Sequence, residues 1–319
     1  MNAYWEQQRE RSTVAALRLM IWASLFFGRF IIRLVLWPIV GYFLLTSPAA
    51  SRASRQALRR LLDRPATLRD VAQHFYTFAM CAVDRLYLLK DKHHQFEIEV
   101  SRPDAVAQLA ERGTGCLMLV AHLGSFEPLR VLGTTQRQLP LSIRMDRKQG
   151  RMLGSMLERI NPDFALQIID AAQRGPELML QLKDALQAGR MVCIMADRAR
   201  ADERALNVEF CGAPVRVPEG PWALASALGV PVILAFGLYR GGRRYSADFE
   251  LFSERIQINR QQRAVELQAC AQRYAERLQH YARRAPYNWF NFYDYWSDAA
   301  QPVTDNNPNS ELPPPIANS

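Results

Sequence analysis

The chain has no Cys-x-x-Cys pair, no Gly-x-Ser-x-Gly elbow and no glycine-rich phosphate loop, and each absence closes a class. Its five cysteines, at 81, 116, 193, 211 and 270, are odd in number and widely spaced, so neither a disulfide framework nor a zinc site is indicated. Their neighbours are apolar, as in Met191-Val192-Cys193-Ile194, which reads as reduced core thiols. Ser125, in Leu123-Gly124-Ser125-Phe126-Glu127, lacks the second glycine that a serine-hydrolase elbow needs. Gly113-Thr114-Gly115 and Gly241-Gly242 do not make the turn of a P-loop or dinucleotide enzyme. There is no internal repeat. Histidine is scarce, with five in 319 residues, so a general base has few candidates.

What is present is ordinary globular material, 49% hydrophobic and 22% charged, which excludes wholesale disorder, a fibrous protein and a polytopic transporter. The net charge is +9, which suggests an anionic partner. Residues 1–70 hold eleven Arg against four Asp/Glu and so carry most of that excess. The charge surrounds the most apolar run of the chain, residues 19–45, which favours a lipid surface over nucleic acid. Arg11, Arg18, Arg29 and Arg33 fall within roughly 60° on a helical projection. Aromatic and aliphatic side chains occupy the other faces, as expected of a helix lying in the lipid interface. Pro38 is expected to kink or end this helix, with residues 34–45 then dipping into the bilayer or crossing it. A second cluster, Arg52, Arg55, Arg59, Arg60 and Arg64, reads as juxtamembrane and cytoplasmic. Two arginines inside the apolar run argue against a cleaved signal peptide.

The chain divides into an anchor with its basic segment (1–65), an α/β domain (66–298) and a disordered, Pro- and Asn-rich tail (299–319). Residues 66–90 have helical spacing. Residues 95–100 alternate like a strand, and 104–112 form a short helix ended by Gly113. Residues 115–121 are a short apolar run typical of a strand buried on both faces. Helices near 126–132, 152–160, 176–187 and 221–228 then alternate with strands at 141–145, 166–169, 191–195 and 231–239. Residues 245–251 suit an edge strand and 263–283 a long amphipathic helix. This alternation predicts an α/β fold, a mostly parallel sheet flanked by helices, with the N-terminal helical segment on the membrane.

His74, His93, His94 and His280 read as surface histidines. His122 differs, because it directly follows a buried strand in Leu119-Val120-Ala121-His122-Leu123-Gly124-Ser125-Phe126-Glu127-Pro128. Open α/β sheets build their sites at the carboxyl ends of strands. Glu127, five residues on, can orient the imidazole if His122 sits in the turn and Glu127 on the next helix.

His122-Leu-Gly-Ser-Phe-Glu127 resembles the His-x4-Asp/Glu motif of glycerolipid acyltransferases, and especially the bacterial lipid A biosynthesis (lauroyl/myristoyl) acyltransferases. Arg159, in Met156-Leu157-Glu158-Arg159-Ile160, is similar in placement to that family's helical Arg. Met195-Ala196-Asp197-Arg198 is similar to its strand ending in an Asp-containing turn. Phe210-Cys211-Gly212-Ala213-Pro214 and Val217-Pro218-Glu219-Gly220-Pro221 look like the stretches before a small-residue helix. The ending from Pro286 to Trp296 departs from the lipid A enzymes and is closer to the subgroup found beside or fused to glycosyltransferases.

The resemblance implies His122 and Glu127 as the catalytic dyad, with Arg159, Asp197, Arg198, Glu219 and Gly220 binding substrate. It implies an acyl-carrier-protein thioester as donor, or acyl-CoA, and a lipid or glycolipid hydroxyl as acceptor, with no cofactor and no metal. It also implies the inner face of a bacterial cytoplasmic membrane as the location. An acidic carrier protein would dock on basic residues. Arg144, Arg147, Lys148 and Arg151 form the densest such cluster in the catalytic domain, with Arg240, Arg243 and Arg244 as the second choice.

Overall fold

The computed structural model describes residues 14–90, 92–101, 103–113, 115–135, 141–145, 168–170, 175–200 and 203–296. Three helices come first: α1 (Val14–Thr46), α2 (Pro48–Leu62) and α3 (Leu68–Leu89). Then follow β1 (Glu97–Ser101), α4 (Pro103–Glu111), β2 (Cys116–Val120), α5 (Glu127–Thr135), β3 (Leu141–Met145) and β4 (Ile168–Asp170). Next are α6 (Pro176–Gln187), β5 (Met191–Met195), β6 (Ala205–Phe210), β7 (Ala213–Pro218), α7 (Gly220–Leu228) and β8 (Val232–Tyr239). The series ends with β9 (Arg244–Ser253) and α8 (Arg263–Arg284).

Seven strands form one sheet in the order β1-β9-β8-β2-β5-β3-β4, parallel throughout except for the β8–β9 hairpin. Strands β2 and β5 are apolar along their length because the sheet is covered on both faces. Leu117, Leu119, Val192 and Ile194 face the side packed by α6, α7 and α8. Cys116, Met118, Met191 and Cys193 face the side packed by Leu109, Leu129 and Leu132 of α4 and α5. Four of the five cysteines are buried and all are free thiols.

Several expectations are corrected. Strand β9 is not an edge strand, because β1 pairs along its outer side. Residues 205–218 form an antiparallel hairpin, β6–β7, where the sequence reading placed no strands. The break in α1 lies at Gly28 (φ 76°, ψ 166°), a conformation that glycine tolerates, while the helix runs on through Pro38. Arg29 does not face lipid. It is buried, with Nε 2.6 Å from Asp84 of α3 and a further hydrogen bond to the Gly242 carbonyl. His74 is a core residue, not a surface one: Ser54 Oγ of α2 lies 2.8 Å from its Nδ1, and the Trp289 carbonyl lies 2.9 Å from its Nε2. Residues 299–319 lie outside the described residues.

Candidate active site

Register assembles the site. Strands β2 and β5 are neighbours, and Val120 pairs with Met195 at their carboxyl ends. The next backbone bond, Ala196 N–H to the Val120 carbonyl, continues the pairing. His122 and Asp197 each lie two residues past the paired ends and therefore meet. The His122 backbone N–H donates to Asp197 Oδ2 at 3.1 Å, and imidazole Nδ1 lies 3.0 Å from Asp197 Oδ1. An ionised carboxylate only accepts, so Nδ1 carries the proton and Nε2 presents its lone pair. The Asp197 side chain is fully buried, and that of His122 is 39% exposed, so the free nitrogen is within reach of a substrate.

The turn that follows holds the histidine out. Leu119 pairs with Leu234 of β8, so an unbroken register would set residue 122 opposite Gly237. Gly124 takes that place instead, and two extra residues loop out around His122. The approach is close enough to exclude side chains. Gly124 has φ +77°, and a Cβ on it would meet the Gly237 carbonyl at 2.0 Å. A Cβ on Gly237 would meet the Ser125 carbonyl at the same distance. The Gly124 and Ser125 N–H groups donate to the carbonyls of Asn288 and Gly237, so neither is free to bind an oxyanion.

The aromatic C-terminal segment closes the other side. Phe290 N–H donates to the His122 carbonyl, and Leu123 bridges Trp289. Asn288 completes β8 with its amide, accepting from Tyr239 N–H and donating to the Tyr239 carbonyl. Tyr295 Oη donates to the Asp197 carbonyl at 2.6 Å. Arg198 Nη2 donates to the Phe290 carbonyl at 2.6 Å, with the guanidinium over the Tyr293 ring and Nε 3.6 Å from Asp197. Phe78 of α3 meets Phe290 and Phe292 at 5.2 and 5.3 Å, and Phe292 also stacks on His74 at 4.6 Å, so the segment carries an apolar ring cluster.

Burial, and after it the Arg198 guanidinium, hold the His122 pKa below its ordinary 6.5 against the opposing pull of Asp197. The imidazole is therefore neutral at pH 7 and can accept a proton. Burial works to raise the Asp197 pKa, but the adjoining imidazole and Arg198 outweigh it and keep the carboxyl below its usual value.

The other sequence-expected residues fall elsewhere. Glu127 does not meet His122. It opens α5 with its carboxylate turned toward α3, where Oε1 accepts from Arg85 and Oε2 from Arg130, each at 2.9 Å. Arg130 also donates to the Leu88 carbonyl, so the group ties α5 to α3. Glu219 pairs with Arg263 of α8, and Gly220 begins α7. Among the described residues, neither is hydrogen-bonded to the His122–Asp197 pair. Arg159, Arg147, Lys148 and Arg151 lie outside the described residues, and Arg144 lies on β3. Sequence reasoning missed Arg85, Asn288, Phe290 and Tyr295. The one available signal was the run of aromatics and Asn in residues 286–296, too dense for a solvated tail.

No curated protein matches the chain. The family model of the bacterial lipid A biosynthesis acyltransferases matches residues 63–297, from the end of α2 through the aromatic segment that closes the site. That span is most of the chain and includes the His122 turn, Asp197 and the whole sheet. This acyltransferase thus belongs to the bacterial lipid A biosynthesis acyltransferase family.

Proposed function

We propose that the protein transfers a fatty acyl group from an acyl-carrier-protein thioester, with acyl-CoA as the alternative donor, to a hydroxyl of a lipid or glycolipid. The observation that carries this is the His122 imidazole, anchored through Nδ1 on buried Asp197 and open at Nε2. Nε2 takes the acceptor's proton as its oxygen attacks the thioester carbonyl. Asp197 offsets the charge that the ring acquires. The tetrahedral intermediate then collapses, the carbon–sulfur bond breaks, and the imidazolium returns its proton to the leaving thiolate. The thioester is already activated, so no acyl-enzyme is required. Apolar Phe75, Phe78, Phe290 and Phe292 suit an acyl chain. Arg159 is assigned to the developing oxyanion or an acceptor phosphate. Arg198, bound to Phe290, acts by positioning the segment that holds His122. The carrier protein docks on the Arg144–Arg151 cluster, and the enzyme works at the cytoplasmic face of the inner membrane.

The test is acyl transfer by His122→Ala. Activity should fall about 10²–10⁴-fold, the usual worth of a general base. In the unsubstituted enzyme, the acid limb of kcat/KM should lie below pH 6.5, because the imidazole's pKa is lowered. Wild-type turnover by a folded His122→Ala protein would overturn the mechanism.

A further inference from the structure

The stretch Gly28–Thr46 of α1 has 19 residues and is long and apolar enough to cross a membrane. Its surroundings indicate a different use. One face is buried in the protein: Ile32, Leu36 and Val40 join a cluster with Tyr76, Met80, Val83 and Tyr87 of α3. On that face Arg29 forms a two-pronged ion pair with Asp84, and Tyr245 of β9 also donates to Asp84 at 2.8 Å. Undocking the helix would leave a buried carboxylate without its cation and a cation without its carboxylate. Standing the docked helix across a bilayer would instead carry α3, with Asp70, Asp84 and Arg85, into hydrocarbon.

The opposite face is apolar and open to solvent from one end to the other. Phe30 is 73% exposed, Leu34 60%, Tyr42 62% and Leu45 85%, with Trp37 among them. A soluble monomer seldom shows such a continuous apolar strip. Helix α2 begins two residues after α1 ends and packs on both α3 and α8, burying Ala53, Ala57, Leu58 and Leu61. Its outward face carries Arg52, Arg55 and Arg59, all exposed and without ion pairs among the described residues. Their i, i+3, i+7 spacing makes one stripe. An apolar strip continued by a stripe of unpaired arginines matches the acyl and headgroup layers of an anionic leaflet.

We infer that α1 is a rigid, non-spanning docking face, clasped to the catalytic domain by Arg29–Asp84–Tyr245 and lying flat in an anionic leaflet, with the Arg52–Arg55–Arg59 stripe on the headgroups. This rests on the membrane reading above and specifies its geometry. It places the site one helix from the lipid, because α3 carries both the α1 contact and Phe78 beside Phe290.

The experiment uses the full chain with Cys270→Ser, which removes the one half-exposed thiol among the described residues. A cysteine is introduced at Phe30 or Leu45 and labelled with a fluorophore. The protein is bound to phosphatidylglycerol/phosphatidylethanolamine vesicles containing lipids brominated at graded depths. A flat helix puts both labels at the same shallow depth. An upright one separates them by about 22 Å, at roughly 1.5 Å per residue, and that result would overturn the inference while leaving membrane binding intact. Unquenched labels on a vesicle-bound protein, or a dimer that buries them, would assign the face to a second copy and equally overturn it. Failure of the unlabelled chain to bind any vesicle would remove the membrane reading itself. The triple variant R52Q/R55Q/R59Q should lose about a hundredfold in partitioning to these vesicles, roughly fivefold per arginine, and nothing on phosphatidylcholine. Unchanged partitioning on the anionic vesicles would overturn the headgroup contact.

Discussion

At the scale of single residues, two carboxylates compete for the role of orienting His122, and their surroundings divide the work. Asp197 touches the imidazole; Glu127 touches two guanidinium groups. Asp197→Asn keeps the shape but can present an amide N–H to Nδ1, which favours the tautomer with the proton on the reacting nitrogen. Turnover should drop roughly 10²-fold or more with little change in the melting temperature. Glu127→Gln should do the reverse. Arg130 is buried and Arg85 largely so, and removing their shared counter-charge should cost about 3 kcal/mol of stability. The folded fraction should keep activity within about tenfold. Chemical denaturation alongside initial rates separates the two variants. A Glu127→Gln protein of unchanged stability and lost turnover would return the orienting role to Glu127.

At the scale of elements, the site depends on a backbone contact that has no slack. Gly124 and Gly237 approach so closely that either Cβ would overlap a carbonyl oxygen, and Gly124 also has a positive φ. Gly124→Ala should therefore lose about 3 kcal/mol or more from strain and overpacking together, with activity falling in the same variant as His122 shifts. A melting temperature within a degree or two of wild type would show that the β2–β8 crossing relaxes freely. His122 precedes this contact by two residues and Trp289 lies beside it, so the crossing of β2, β8 and the C-terminal segment sets the histidine's position.

At the scale of the whole molecule, the N-terminal helices are part of the domain and not a detachable leash. Removing residues 1–47 would expose Tyr76, Met80, Val83 and Tyr87 and leave Asp84 without Arg29. The truncated chain should lose several kcal/mol and aggregate, by the combined cost of lost burial and a broken buried pair. Size-exclusion chromatography after detergent removal checks this, and a monodisperse, active truncation would contradict it. His74 adds a pH dependence. It joins α2 and α3 to the Trp289 backbone, and burial pushes its pKa down from 6.5 to about 4. Between those values the unfolded chain binds a proton that the folded one refuses. This contribution to stability is complete above pH 6.5 and disappears as pH falls toward 4, about 3 kcal/mol over the window. His74→Gln should flatten that part of the stability profile measured by urea unfolding.

Much of this was legible in the sequence because burial is locally periodic. The apolar run at 115–121 announced a strand buried on both faces and 191–195 a strand, which are β2 and β5, and α6 appears with the bounds read for it, 176–187. His122 stood out for its place after such a strand, and its motif pointed to the acyltransferase family that the match over residues 63–297 bears out. The identity of its partner was not legible. Asp197 is 75 residues away, and only the parallel pairing of β2 with β5 brings it to the imidazole. The same holds for Arg29 and Asp84, 55 residues apart, and for His74 and Trp289, 215 apart. A sequence shows which residues can be charged, apolar or basic. Which of them meet is decided by sheet register and by the faces that helices bury, and these are set by packing across the entire chain.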